Sequence, residues 1–341
     1  MNTIATNTNR SVSFIIPAMN EEKTLETLYA GIKKNIEGLC WAWEVIFLDD
    51  GSTDKTWKVM QELAATDSKH VKAYQFPMNK GKADALALGY RLASGDVVFT
   101  MDADLQDDPN EIPRFLEKIE EGNDIVTGWK RKRHDPWHKV LPSRVFNGVL
   151  SRVTGVDLHD HNCGFKAYKH EVVKSLPMYG DMHRMVPSLA SFKGFNTTEI
   201  EVEHHPRMHG VSKYGWSRLI IGALDTMTVG FLQRFRNCPM HFTGKVAACF
   251  FTISMALMVA AAVIGFLGGS VTALLVLGSL NFLTGILICI QGLMMELQVY
   301  RTMENGRNLR TSEASTEGRA ASPLRLLEKG YSKPEDMVVA G

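Results

Sequence analysis

Two aspartates one residue apart follow a strongly apolar run: Asp96-Val97-Val98-Phe99-Thr100-Met101 leads directly into Asp102-Ala103-Asp104-Leu105-Gln106. Carboxylates at that spacing can converge on a hard divalent cation once the chain leaves the extended conformation, and Gln106 can add a neutral oxygen. Magnesium or manganese held by Asp102, Asp104 and Gln106 would leave coordination positions for diphosphate oxygens. An acidic pair alone is commonplace on protein surfaces. Its place at the end of an apolar strand, with other acidic strand ends nearby, gives it weight.

Three further segments carry chemistry-bearing residues. Asp49-Asp50-Gly51-Ser52-Thr53-Asp54 follows a second apolar run; its glycine allows a tight turn and Asp54 can cap the next helix. Either Asp49 or Asp50 could accept hydrogen bonds from a nucleobase or ribose, or the segment could be a turn and nothing more. Pro17-Ala18-Met19-Asn20-Glu21-Glu22 supplies a similar turn after the first apolar run. Asn79-Lys80-Gly81-Lys82 opens a helix, where two lysines beside a glycine suit a phosphate and would serve equally as solvated surface charge. Neither a GxGxxG nor a GxxxxGK[ST] pattern occurs, so dinucleotide and P-loop readings have no support.

Apolar runs alternating with helical patterns must position these turns. Strands are predicted at Ser13–Pro17, Glu44–Leu48, Val71–Tyr74, Asp96–Met101 and Asp124–Gly128, with helices over Glu22–Glu37, Lys55–Ala65 and Lys82–Ala93. Such alternation predicts an α/β domain with a Rossmann-like, mostly parallel sheet covered by helices on both faces. Ligands bind such sheets at the carboxyl ends of the strands, where Asn20, Glu21, Asp49, Asp50, Asp102 and Asp104 fall.

From Val246 to Met295 there is no Asp, Glu, Lys or Arg. The stretch divides at Gly268-Gly269-Ser270 into 246–267 and 271–295, each long enough to cross a hydrocarbon core. Arg234, Arg236 and Lys245 precede the first span, Arg301, Arg307 and Arg310 follow the second, and the turn is uncharged; both ends are therefore expected in the cytoplasm. Tyr214–Asn237 mixes apolar positions with Arg218, Asp225, Arg234 and Arg236, a pattern that suits helices at a membrane surface and equally a helix packed on the soluble domain; its place just before the apolar stretch favours the membrane surface. The expected organisation is a catalytic domain over 1–213, juxtamembrane helices over 214–241, a hairpin over 242–298 and a polar cytoplasmic tail over 299–341, loosely ordered from about Ser312.

Among 341 residues, Lys+Arg 38 balance Asp+Glu 37, which argues against bulk nucleic-acid binding. Cys40, Cys163, Cys238, Cys249 and Cys289 form no CxxC pair and fit a reducing compartment. Met1–Arg10 is polar and has no apolar core of a signal peptide. His159, His161, Cys163, His204 and His205 match no closed zinc spacing.

These motifs, in this order and spacing from about Ser13 to Lys213, resemble family 2 glycosyltransferases of the GT-A fold. More narrowly they resemble the branch that makes polyprenyl-phosphate sugars, including dolichol-phosphate mannose synthases and bacterial undecaprenyl-phosphate glucosyl- and aminoarabinose transferases. The resemblance implies that Asp49, with the Pro17-to-Glu21 turn, Asp50, Ser52, Lys80 and Lys82, holds the nucleotide of a nucleotide-sugar donor. Asp102, Asp104 and Gln106 would hold the cation and the donor diphosphate. Leu158-His159-Asp160-His161-Asn162-Cys163-Gly164-Phe165-Lys166 looks like the branch's Asp-x-x-x-Gly-Phe segment, making Asp160 the acceptor-side carboxylate. Arg207-Met208-His209-Gly210-Val211-Ser212-Lys213 looks like its Arg-x-x-Gly-x-Ser-Lys element. Arg131, Arg144, Arg207 and Lys213 would then meet phosphate groups; Lys130-Arg131-Lys132-Arg133 would suit anionic lipid headgroups equally well.

A lipid phosphate is anionic at neutral pH and needs little general-base help, so the expected mechanism is in-line, inverting attack on the anomeric carbon. Asp160 would orient acceptor or sugar. The expected donor is UDP-glucose, then GDP-mannose; the expected acceptor is polyprenyl phosphate in a bilayer, and a homo-oligomer is left open. Gln233-Arg234-Phe235-Arg236 lacks the Gln-x-x-Arg-Trp element of processive synthases, which disfavours polymer building. Intact Asp102 and Asp104 disfavour a non-catalytic scaffold.

Overall fold

Unbroken apolar runs, with no polar residue to face water, make strands buried on both sides. The computed structural model describes residues 10–131, 147–148, 150–152, 154–176, 182–205, 217–235, 237–316 and 338–340. Strands β1 (Ser11–Ala18), β2 (Ala42–Asp49), β3 (Val71–Gln75), β4 (Val97–Thr100) and β5 (Ile125–Trp129) lie where the runs predict them. Helices α1 (Leu25–Glu37), α2 (Thr56–Thr66), α3 (Lys82–Leu92) and α4 (Ile112–Glu120) separate them. Then follow β6 (Lys166–Lys169), α5 (His170–Ser175), α6 (Val186–Ser191), β7 (Thr197–Glu201), α7 (Ser217–Phe235), α8 (Met240–Phe266), α9 (Thr272–Thr316) and β8 (Val338–Ala340).

The eight strands form one sheet in the order β7-β5-β6-β4-β1-β2-β3-β8. Pairings β1–β2, β1–β4, β2–β3 and β5–β7 are parallel, and β4–β6, β5–β6 and β3–β8 antiparallel. Alternate residues of the central strands feed opposite faces. Phe14, Ile16, Phe47 and Phe99 pack with Phe115 of α4 and Ile32 of α1, whereas Ile15, Ile46, Leu48 and Val98 pack with Leu86 of α3 and Val172 of α5. Carboxyl ends of β1, β2 and β4 therefore open onto one edge, carrying the three turns together.

Strands β6 and β7 were not anticipated. Lys166-Ala167-Tyr168-Lys169 is bounded by lysines, yet it threads between β4 and β5 and is buried along most of its length. β7 reads Thr-Thr-Glu-Ile-Glu at the sheet edge, too polar to register as an apolar run.

A second compact unit spans Phe231–Tyr331. Its helices α8 and α9 include two segments, Met240–Phe266 and Thr272–Thr302, long and apolar enough to cross a membrane. Gly268, at φ +80°, lies in the turn between them. Outward positions such as Phe266 and Val276 are exposed and apolar. Helix α9 continues to Thr316, past the predicted end of the span at 295 and into the predicted polar tail. No proline interrupts the sequence before Pro323, so the backbone ladder can run on. Residues 338–340 of the same predicted tail pair with β3.

Gly278, Gly285 and Gly292 recur every seven residues along α9, and each faces α8. A Cβ at 278 would come 3.2 Å from Met258 Sδ, and one at 285 2.6 Å from the Phe251 ring. A seven-residue spacing keeps one stripe of a helix against its neighbour, and small residues let apolar helices approach closely. Ser254 Oγ donates to the Gly278 carbonyl across the seam at 2.7 Å, and the Met240 amide donates to Glu296 Oε2 at 3.2 Å. Gly292→Leu, driven into Thr243 and Met240, is expected to cost about 1–3 kcal/mol, read as a lower thermal midpoint in detergent. Leu283→Ala, at an exposed position, should leave that midpoint nearly unchanged.

Candidate active site

Side chains stitch the first two turns together through each other's backbone. Asn20, in the left-handed region at φ 60°, donates its amide to Ser52 Oγ at 2.9 Å and accepts from the Thr53 amide at 2.8 Å. The Glu21 amide donates to Thr56 Oγ1 at 2.8 Å, and the Lys55 amide to Glu22 Oε2 at 3.0 Å. Pro17 pairs with Leu48, one position before the shared register ends at Ala18 and Asp49. Gly51 adopts φ +70°, which a side chain would strain, and a Cβ there would lie 2.6 Å from the Asn79 nitrogen.

Asp49 and Asp50 both turn inward. Asp49 has no exposed surface and accepts from the Ser52 amide at 3.0 Å and from Gln75 Nε2 at 2.8 Å. Asp50 accepts from the Lys80 amide at 2.7 Å and the Gly81 amide at 3.0 Å. Burial raises the Asp50 pKa despite those two donors, with Asp49 and Asp84 adding to the rise. The backbone donors at the start of α3, which in the sequence suit a phosphate, are thus already taken by a carboxylate. Lys80 itself is exposed and lies over the Phe76 ring at 5.3 Å.

Lys82 reaches the other way, into an ion pair with Asp102 Oδ1. Burial works to raise the Asp102 pKa, but Lys82, backed by Lys130 and His183, holds it down to about 2. Asp104 is buried and accepts from the Gln106 amide at 3.2 Å. Asp160 is buried too, and accepts from the Asn162 amide at 3.2 Å. The Asp102 carboxylate lies against the backbone of Gly164, where an added Cβ would come 2.7 Å from Oδ2. That contact joins the Asp160–Lys166 segment to the end of β4, as does the bond from Thr100 Oγ1 to the Gly164 carbonyl at 2.9 Å.

Lys166 and His183, which the sequence did not single out, and Lys130, which it read as part of an outward basic run, lie close to this cluster. Lys130, the first residue of the basic run, turns inward and meets the fully buried side chain of Asp107 at 2.7 Å. Lys166, in the middle of β6, is buried and donates to the Cys163 carbonyl; burial lowers its pKa, against the pull of Cys163 and Asp160. Burial also drives the His183 pKa well down, with Lys82 adding to the effect. The signal for Lys166 was its place in an otherwise apolar Phe165-Lys166-Ala167-Tyr168 run. Arg131 stays exposed, meeting Glu201 at 3.3 Å and the Trp129 ring at 5.9 Å. Arg144, Arg207 and Lys213 lie outside the described residues.

The His161 ring is fully buried, with Ser151 Oγ 3.0 Å from its Nε2. Burial, seconded by Lys166, pushes its pKa down to about 4. The unfolded chain accepts a proton near pH 6.5 and the folded one does not, so this contribution to stability is present above that pH and is lost as pH falls towards about 4. Between about pH 7.5 and 5.5 the loss is about 1 kcal/mol. Urea unfolding at the two pH values measures it; His161→Gln should shrink the drop, leaving the part due to His183.

The family model described as "Glycosyl transferase family 2" matches residues 13–176, which hold all of these clustered turns. Dodecaprenyl-phosphate galacturonate synthase of Rhizobium johnstonii is 34% identical over 239 residues, 69% of this chain and 71% of that one. The chain belongs to glycosyl transferase family 2. Another family relative is undecaprenyl-phosphate 4-deoxy-4-formamido-L-arabinose transferase of Proteus mirabilis, 36% identical over 217 residues, 64% of this chain and 67% of that one. A solved structure of glucosyl-3-phosphoglycerate synthase from Mycobacterium tuberculosis aligns with a TM-score of 0.50 at 23% identity, covering 66% of this chain and 80% of that one. That likeness establishes the fold, which is GT-A.

Proposed function

We propose that this glycosyltransferase moves a sugar from a nucleotide-sugar to polyprenyl phosphate, releasing a nucleoside diphosphate at the cytoplasmic face of a membrane. The observation that carries it is the acidic cluster at the end of β4, in a chain that also has a hairpin of membrane-spanning length. The names of both curated relatives support the acceptor class.

Asp102, Asp104 and Gln106 offer an all-oxygen donor set, suited to magnesium or manganese. The backbone at Gly164 leaves room for the Asp102 carboxylate that a Cβ would fill, so these residues fit a divalent cation. When bound, the cation stabilises charge developing on the departing diphosphate. Asp49 and Asp50 shape the paired turns and, with Pro17, Asn20, Glu21 and Ser52, hold base and ribose. Lys80 and Lys82 meet the donor phosphates. Asp160 orients the acceptor or the sugar, and Arg131, Arg144, Arg207 and Lys213 balance the lipid phosphate. The acceptor oxygen, already anionic, attacks in line with the leaving group and inverts the anomeric carbon. A polyprenyl tail stays in the bilayer, so the hairpin keeps the catalytic domain at the surface, with both ends on the cytoplasmic side.

The test is incubation of membranes containing the protein with polyprenyl phosphate, magnesium or manganese, and a panel of radiolabelled donors, followed by lipid extraction. The panel runs from UDP-glucose, the first expectation, and GDP-mannose to nucleotide-linked galacturonate and 4-deoxy-4-formamido-L-arabinose, the sugars in the relatives' names. Labelled lipid with nucleoside diphosphate as by-product is expected. No labelled lipid with any donor overturns the reading, and pyrophosphate release would mark a nucleotidyltransferase.

A further inference from the structure

Lys82 is the first residue of α3, and Asp102 follows the end of β4. Their ion pair is not sealed, since the two side chains keep 38% and 33% of their surface exposed. One face of the Asp102 carboxylate rests on the Gly164 backbone, where a Cβ would lie 2.7 Å from Oδ2 and 2.9 Å from Oδ1. The carboxylate therefore cannot swing towards Gly164 to accommodate a second cation, and Lys82 already holds its Oδ1. Asp107 and Asp104 also act on the Lys82 ammonium electrostatically, so it stands within the same group of carboxylates that would take a divalent cation.

An ammonium and a divalent cation sharing one carboxylate repel each other strongly at such separations. A lysine can resolve this by moving, because its charge is a compact point on a four-carbon stem; an arginine fork locked onto the carboxylate would resist. We infer that Lys82 and the divalent cation are alternative partners of Asp102, and that Lys82 turns from Asp102 to the donor diphosphate when the cation engages. This rests on the metal reading proposed above and adds a coupling to it. A cation that binds alone leaves Lys82 without an anion, whereas a cation that arrives with a diphosphate brings the anion Lys82 needs. Cation and donor therefore strengthen each other's binding, by the same factor in each direction.

The test uses full-length protein in detergent, with Mn2+ binding followed by electron paramagnetic resonance in the absence of any nucleotide. Lys82→Met and Lys82→Gln should each bind Mn2+ about tenfold more tightly than wild type. Lys82→Arg, which keeps the charge, should bind as weakly as wild type, and Asp102→Asn should bind at least about tenfold more weakly. In the labelled-lipid assay the neutral variants should need less Mn2+ for half-maximal transfer while their donor KM rises. A thermal midpoint for each variant confirms that it is folded, and two neutral variants guard against the failure of one. If the neutral variants bind Mn2+ no more tightly than wild type while Asp102→Asn loses it, the exchange is wrong and the metal site stands. If Asp102→Asn binds Mn2+ like wild type, the metal reading itself is overturned.

Discussion

Asp104→Asn is expected to cut sugar transfer to polyprenyl phosphate by about a thousandfold or more. The substitution keeps the shape of the side chain and an oxygen able to accept from the Gln106 amide, the bond seen at 3.2 Å. It removes one negative charge from the set proposed to hold the cation, so the loss should appear in turnover, with the fold intact. Raising Mn2+ should recover only part of the rate. The measurement is labelled lipid formed per minute across a range of Mn2+, alongside a melting curve. A variant that keeps more than about a tenth of wild-type activity with an unchanged Mn2+ requirement would remove Asp104 from the catalytic centre.

Lys130→Met should produce the largest loss of stability, about 3–5 kcal/mol. Asp107 has a side chain with no exposed surface, and Lys130, with only 13% of its own exposed, meets it at 2.7 Å. Taking away one partner leaves a carboxylate buried without its counter-ion, which is far worse than never having buried either charge. The double variant Lys130→Met/Asp107→Leu should therefore recover most of the lost stability, although each single change is damaging. Urea unfolding of the four proteins in a cycle decides it. Equal losses from both singles with an additive double would mean the pair is not coupled.

The parallel half of the sheet was legible because Phe14–Ile16 and Val45–Leu48 are continuous apolar runs that only a strand covered on both faces can bury. The turns were legible for a related reason: a polar cluster immediately after such a run must sit at a strand end. What they do there was less so. Asp49 or Asp50 read as a ligand for a nucleotide; that Asp50 closes on the amides of Lys80 and Gly81 is a contact thirty positions away in sequence that no local pattern encodes. Lys130 read as one of four surface charges because its neighbours Arg131, Lys132 and Arg133 set the expectation; its inward turn depends on Asp107 being there to receive it. Lys166 was hidden by the same logic, since a lysine in a strand is normally on the wet face. The full length of α9, to Thr316, was not legible because hydropathy marks where a helix leaves the apolar zone, whereas the helix itself stops only where the backbone ladder does.

The pairing of Val338–Ala340 along β3 has a practical consequence for anyone isolating the catalytic portion. A soluble fragment trimmed ahead of α7 would lack that last strand, leaving Ala73, Tyr74 and Gln75 with bare amides and carbonyls along an open border. Two such fragments could zip together through those borders. Precipitation of the trimmed protein would then reflect a missing cover, and adding the terminal segment back as a peptide should keep it in solution.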